Sequence, residues 1–237
     1  MRYPGGKGKC FQHLINLMPA HSTYIETHLG GGSVMRNKKP AERNFGVDLD
    51  ASVIRRWQTL HPATCTLVNS DAVEFLTGFA FNGDELVYAD PPYVTSTRRR
   101  AKIYRHEYDD ADHERLLRVL VTLPCKVIIS GYESALYNEA LANWRCAGFS
   151  SMSHTGVRAE MVWYNFDTPQ QLHDATYLGN SFRDRQTIRR RHDRLLDRFA
   201  RMAPVERHHV LDLLNSRFGA HADRHCPLAS VGEEVAE

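Results

Sequence analysis

What this 237-residue chain lacks narrows its class before any motif is read. No apolar run approaches the roughly 18 residues of a membrane span, and the N-terminal stretch has no signal-peptide core. The expectation is therefore a cytoplasmic protein with no membrane partner. Its five cysteines (Cys10, Cys65, Cys125, Cys146, Cys226) are scattered, odd in number and without CxxC spacing. They read as reduced structural thiols, and no metal site is expected. Charge of one sign is also scarce. The formal net charge is +2, so any surface for nucleic acid must be local. No Lys-Ser or Lys-Thr follows a glycine-rich turn, which disfavours a Walker phosphate cradle. With 42% apolar and 24% charged residues, the chain can build one domain of moderate size with a real core, plus an extension.

What is present centres on Asp90-Pro91-Pro92-Tyr93. The motif follows Glu85-Leu86-Val87-Tyr88-Ala89, an apolar run with the character of a buried parallel strand. Two prolines cannot continue a hydrogen-bond ladder, so the chain leaves the sheet abruptly there. Asp90 is thereby presented at a strand's C-terminal edge, where open α/β sheets bind ligands. The Asp90 carboxylate and the Pro91 carbonyl can both accept hydrogen bonds from an exocyclic amine, and Tyr93 offers a ring face for stacking. Two acceptors on an amine's hydrogens would localise its lone pair and aim it at an electrophilic carbon.

Earlier in the chain, Gly5-Gly6-Lys7 precedes an apolar-periodic helix of Phe11, Leu14, Ile15 and Met18, which Pro19 stops. Residues 24–29 form a candidate strand, and Gly30-Gly31-Gly32 turns it into a short helix. The next strand, 44–47, ends on Asp48, placed to hydrogen-bond a ribose diol and following the glycines by about the ~20 residues of nucleoside folds. The two features together favour an adenosine-bearing cofactor. A helix over 51–61 and a strand over 64–68 follow. Asp71 then stands at a helix start, where an N-cap is the first role and cofactor contact the alternative. Beyond the DPPY, residues 94–106 hold Arg98, Arg99, Arg100, Lys102 and Arg105 with no acid. Tyr104 and Tyr108 lie close behind, and cations beside aromatics suit a phosphate backbone and an unstacked base. A helix over 110–123, a strand over 125–130, another helix, and strands over 147–154 and 160–166 complete the pattern. It predicts an α/β fold with a mostly parallel sheet and an antiparallel strand near one edge.

In order and spacing these residues resemble the Dam-like DNA adenine methyltransferases. The likeness rests on Gly5-Gly6-Lys7, the turn from Glu26 through Val34, Asp48 and the DPPY. It extends to Asp112-His113, the Val127–Tyr132 segment and Met161-Val162-Trp163-Tyr164-Asn165. It covers roughly residues 1–166, and the smaller phage and prophage enzymes look closest, with restriction-modification as one setting. The resemblance implies a Rossmann-like methyltransferase fold, S-adenosylmethionine as cofactor and the exocyclic amine of a flipped adenine in double-stranded DNA as acceptor. It implies a nucleoid-associated enzyme. Carried onto this chain, Asp90, Pro91 and Tyr93 are the catalytic positions. Tyr3, Lys7, Glu26, Gly30, Gly32, Asp48, Asp71 and Asp90 are the cofactor positions. Two departures stand out. The family's Pro-Phe is here Thr27-His28, which makes His28 a pocket-wall residue. The long recognition insertion of larger relatives is also missing between Asp48 and Asp90.

Residues 167–226 lie outside the resemblance and read as a basic helical extension, with 227–237 a disordered tail. Residues 181–202 set Ile188, Leu195, Phe199 and Met202 on one helical face, with eight arginines around the rest. A second helix begins at Pro204 and ends at Gly219. The expectation is that Arg98–Arg105 read a DNA groove while Arg189, Arg190 and Arg191 hold phosphates. An RNA-directed enzyme and a catalytically inactive DNA-binding module remain as alternatives.

Overall fold

The computed structural model describes residues 7–8, 10–61, 65–98, 105–153 and 156–219, with side chains described outside 150–159. Two compact units are present, Met1–Asn180 and Ser181–Glu237.

The first unit is one seven-stranded sheet. Its strands are β1 (Thr23–Glu26), β2 (Arg43–Asp48), β3 (Thr66–Asn69), β4 (Glu85–Ala89), β5 (Lys126–Gly131), β6 (Arg145–Ser153) and β7 (Gly156–Tyr164). The spatial order is β3-β2-β1-β4-β5-β7-β6. The first five pair in parallel, and β7 enters antiparallel between β5 and β6. This is the mostly parallel Rossmann-like sheet with its antiparallel strand near one edge that the alternation of elements predicts.

Helices cover both faces because every residue of β1 and β4 is buried, which requires apolar cover above and below. The two-residue period of a strand divides their side chains. Ile25, Val87, Ala89, Val127 and Ile129 face one way, toward α4 (Ala72–Gly78), α5 (Asp110–Leu120) and α6 (Ala135–Ala140). Tyr24, Leu86, Tyr88, Ile128 and Val162 face the other, toward α1 (Phe11–Ile15), α2 (Ser33–Asn37) and α3 (Ala51–Leu60). Acids start three of the helices. Asp50 caps α3, Asp71 caps α4 and Asp109 forms a capping box with Asp112 on α5.

Residues 167–180, drawn into the helical extension from sequence, belong to the first unit. Leu172 bridges to Pro19, His173 donates its backbone N–H to the Met18 carbonyl, and Asp174 accepts from the Lys39 backbone N–H at 2.8 Å. Asn16 Nδ2 donates to the Tyr177 carbonyl at 2.6 Å. No periodicity advertises such an irregular strap; hydrogen bonds from distant residues hold it.

The second unit contributes α7 (Phe182–Arg201), capped by Ser181, and α8 (Pro204–Phe218), whose first residue is the expected proline. Neither helix has a buried residue. The tail expected from 227 onward lies outside the described residues.

Candidate active site

Three parallel strands end side by side. β1 ends in Glu26, β2 in Asp48, and β4 releases the chain into Asp90-Pro91-Pro92. A cavity at this edge is lined by Lys7, Glu26, His28, the three glycines Gly30–Gly32, Asp48, Asp50, Ala72, Asp90, Pro92, His106 and Tyr108, among others. Sequence positions as far apart as 7 and 108 meet here because the strand order brings the first, second and fourth strands together.

The glycine turn is shaped from two sides. Gly30 and Gly32 adopt φ of 45° and 54°, a region that L side chains rarely enter. A Cβ on Gly32 would lie 2.0 Å from the Trp57 ring, and Trp57 Nε1 donates to the Gly30 carbonyl at 3.0 Å. The buried tryptophan of α3 therefore requires glycine here independently of any ligand. Asp48 closes the turn. Its Oδ2 accepts from the Gly30 N–H and its Oδ1 from the Asp50 N–H, each at 2.8 Å. Burial raises its pKa, and those two amides oppose the rise.

At the other end of the cavity, Asp90 is held by Oδ1 alone. Lys7 Nζ donates to it at 2.6 Å and Ser130 Oγ at 2.7 Å. Among the described residues nothing occupies Oδ2. Burial pushes the Asp90 pKa up, while Lys7 and Ser130 hold it back. Burial also acts to lower the Lys7 pKa, yet Asp90, Tyr88 and Glu160 outweigh it, and the ammonium stays protonated well beyond its ordinary range. Glu26, on the same cavity wall, accepts from the Tyr24 hydroxyl and the Met35 N–H, and burial raises its pKa to about 8.

Pro91 is buried and off the cavity wall, and its carbonyl accepts no bond from a described residue. Tyr93 differs from expectation. Its ring is buried edge-on against Tyr132 at 4.6 Å and does not line the cavity. The hydroxyl accepts from Lys7 Nζ at 2.6 Å and donates to Glu160 Oε2 at 3.3 Å. The stacking face is thus enclosed, because Lys7 and Glu160 draw the hydroxyl inward. The residue that lines the cavity beside Asp90 is the half-buried Pro92.

Asp71 is not on the cavity wall either. Its Oδ1 accepts from Val73 and Glu74 N–H groups and its Oδ2 pairs with Arg115 at 2.9 Å. The cap satisfies the carboxylate, and its neighbour Ala72 lines the cavity instead. His28 does stand on the wall. Its ring nitrogens meet Thr27 Oγ1 at 2.9 Å and the Tyr108 hydroxyl at 3.0 Å, and burial lowers its pKa to about 3, so the ring is neutral.

Among the basic residues, Arg98 is turned inward. Its side chain is 3% exposed and pairs with Glu107 at 2.7 Å, so it does not project toward a groove. Arg105 is 67% exposed and reaches Asp50 Oδ1 at 3.3 Å. Arg99, Arg100, Lys102 and the N-terminal Tyr3 lie outside the described residues. On α7, Arg189, Arg190 and Arg191 are exposed. Ser130, Glu160 and His106 are site residues that sequence reasoning did not single out, while Tyr108, expected near an unstacked base, lines the cavity. Only one signal was available, an acid immediately before the apolar run 161–164, in a strand that would bury it.

The strand order with β7 inserted antiparallel defines the class: a Rossmann-like fold of the methyltransferase type. No protein-family model and no curated protein sequence matches the chain. Among solved structures it is similar to an rRNA methylase from Streptococcus thermophilus, at 11% identity and TM-score 0.45 over 72% of this chain and 99% of that one. It is similar to the magnesium protoporphyrin IX methyltransferase of Synechocystis with bound SAM, at 10% identity and TM-score 0.44 over 67% and 79%. A third is M. capricolum TrmK in complex with S-adenosyl-homocysteine, at 9% identity and TM-score 0.44 over 86% and 93%. The fold assignment rests on strand order, and none of these likenesses bears on the substrate. Among the described residues no helix is long and apolar enough to cross a membrane, and no cluster could hold a metal ion.

Proposed function

We propose that the chain is an S-adenosylmethionine-dependent methyltransferase acting on the exocyclic amine of an adenine flipped from duplex DNA. The observation that carries this reading is the state of Asp90. One oxygen is anchored by Lys7 and Ser130, the other takes no hydrogen bond from a described residue, and Asp90 lines a cavity that also presents Asp48, Glu26 and the glycine turn. A ligand with a ribose, an ammonium and a positively charged sulfur fits that wall. Asp48 retains lone pairs for hydroxyls, Gly30 and Gly32 admit close approach of the backbone, and buried Glu26 would ionise against a cation. S-adenosylmethionine supplies an electrophilic methyl carbon on a sulfonium.

Asp90 would accept an amine hydrogen, which biases the nitrogen lone pair toward the methyl, whereas the Pro91 carbonyl, expected to take the second hydrogen, is buried away from the cavity wall. When bound, S-adenosylmethionine would supply the methyl and take back the S–C electron pair, and the methylated amine would lose its proton to water, so Asp90 need not act as a strong base. Alignment and fixed dipoles supply the main catalytic terms. With the Tyr93 ring enclosed, an adenine at this site would lie against Pro92, and Tyr93 would act through its hydroxyl. Phosphate contacts fall to the exposed arginines of α7, and any groove reading to residues 99–102 and Arg105 rather than Arg98.

Labelled methyl transfer from S-adenosylmethionine to unmethylated duplex DNA, to RNA and to neither substrate tests the reading. Label in DNA, recovered as methyladenine, is the expected result. Label in RNA alone would make the enzyme RNA-directed, and no label with intact cofactor binding would make it an inactive module.

A further inference from the structure

Glu160 has no part in the reading above, yet it belongs to the same buried cluster. It sits on β7, the antiparallel strand, and its side chain is 12% exposed. It does not line the cavity. Its Oε2 lies 3.7 Å from Lys7 Nζ and accepts from the Tyr93 hydroxyl at 3.3 Å. Cys10 Sγ approaches it at 3.6 Å. Lys7 Nζ in turn touches Asp90 Oδ1 and the Tyr93 hydroxyl, each at 2.6 Å. A carboxylate 70 positions from Asp90 in sequence thus shares one ammonium with it.

We propose that Glu160 is a positioning residue that sets the ionisation and aim of Asp90 through the Lys7 ammonium and the Tyr93 hydroxyl. This rests on the methyl-transfer reading of Asp90. Glu160 would touch neither cofactor nor base. It gives the Lys7 ammonium a second carboxylate at 3.7 Å besides Asp90 at 2.6 Å, which helps to hold Lys7 in place at the cavity edge. It also divides the field of that ammonium between two carboxylates, which leaves Asp90 the more electron-rich acceptor for an amine.

The other groups around Asp90 do not take over this role. From β1, Glu26 and the Tyr24 hydroxyl bond to each other. From β4, the Tyr88 hydroxyl meets Ser130, and from α6 the Tyr137 hydroxyl meets His113. The Cys10 thiol is pushed by burial, and by Glu160 itself, well above the range in which it could ionise. Among the described residues, Lys7 and Glu160 are therefore the charges whose removal moves Asp90 in predictable and opposite directions. Glu160 favours the protonated acid, and Lys7 favours the carboxylate.

The test follows Asp90 directly, by carbon NMR of the aspartate carboxyls across a pH titration, with Asp90→Asn to assign the signal. In Glu160→Gln the amide oxygen still accepts, but the charge is gone, and the Asp90 titration should move to lower pH by on the order of one unit. In Lys7→Met it should move to higher pH by a similar amount. Should Lys7→Met not fold, Glu160→Gln against Glu160→Asp, which restores the charge and with it the wild-type titration, carries the test. An Asp90 titration that ignores both charges, or moves the same way in both variants, overturns the proposal. Turnover is read separately. Glu160→Gln should lower kcat with KM for S-adenosylmethionine unchanged and shift the acid limb of the pH–rate profile downward. Wild-type protein that transfers no methyl group would remove the reading of Asp90 while leaving the NMR result to decide the charge network. A kcat unchanged in Glu160→Gln would remove the positioning role.

Discussion

Each unit has a cationic feature, and the two hold their charge in opposite ways. In the first, Lys7 is enclosed at 3% exposure between Asp90, Tyr93 and Glu160. In the second, eight arginines of α7 stand on a helix with no buried residue. An enclosed cation acts through named partners a few ångströms away, in a medium where each contact is large and each loss uncompensated. Solvated arginines act as a field whose strength salt can tune and whose members substitute for one another. Charge of the same sign therefore predicts different consequences according to where the fold puts it.

The contrast can be broken most severely at the strand end. Asp90→Ala removes the acceptor and leaves Lys7 facing a gap, and methyl transfer should be abolished in the labelled-substrate assay. If residual turnover matched wild type, the carboxylate would not be part of the chemistry. Next in size is the glycine turn. Gly32→Ala forces a Cβ into Trp57 at positive φ, and denaturant unfolding should show a loss of about 2–5 kcal/mol. An unchanged midpoint would show that the turn relaxes freely. Asp48→Ala comes third. Losing hydrogen bonds to a ribose should weaken S-adenosylmethionine binding by about 1.5–3 kcal/mol, roughly tenfold to a hundredfold by calorimetry. The Gly30 and Asp50 amides would also lose their acceptor, so some loss of stability should accompany it.

A subtler test uses pH. Glu26 is protonated in the fold up to about pH 8, whereas in the unfolded chain it ionises in the ordinary carboxylate range. Between those limits the unfolded state has released the proton and the folded state has not. The contribution of Glu26 is therefore fully present at acid pH and lost as pH rises toward 8. Thermal melts of Glu26→Gln should lose that decline. Cofactor binding near neutral pH should release a proton from wild type and none from the variant, measured in buffers of different ionisation enthalpy. The smallest effect belongs to α7. Replacing Arg189, Arg190 and Arg191 by alanine should change stability by less than about 0.5 kcal/mol. DNA binding should weaken equally on all sequences, with a flatter salt dependence, and sequence-selective loss would contradict the phosphate role.

Much of the frame was legible because it rests on local chemistry. Apolar runs gave strands, two prolines ended β4, and the acid before α4 became the expected cap at Asp71. The candidate ribose acid and the glycine turn could be placed because their separation along the chain is short. Arg98 was misjudged for the opposite reason. Inside a run of arginines it reads as solvated charge, and only the fold supplies Glu107 to draw it in. Tyr93 likewise promised a ring face. Its hydroxyl found partners on the N-terminal segment and on β7, and the ring followed.

By itself, then, the sequence determined which elements form, where each strand stops, and that Asp48 and Asp90 would stand at strand ends. Those properties follow from side-chain period, capping and the missing N–H of proline, which neighbours along the chain decide. The tertiary structure alone decided which oxygen of Asp90 is anchored, that Ser130 and Glu160 belong to its surroundings, and that Trp57 requires glycine at position 32. The order β3-β2-β1-β4-β5-β7-β6 brings residues 7, 90 and 130 within hydrogen-bond reach and Glu160 within ion-pair reach of Lys7. Ionisation inside such a cluster depends on distance and burial rather than on spacing along the chain.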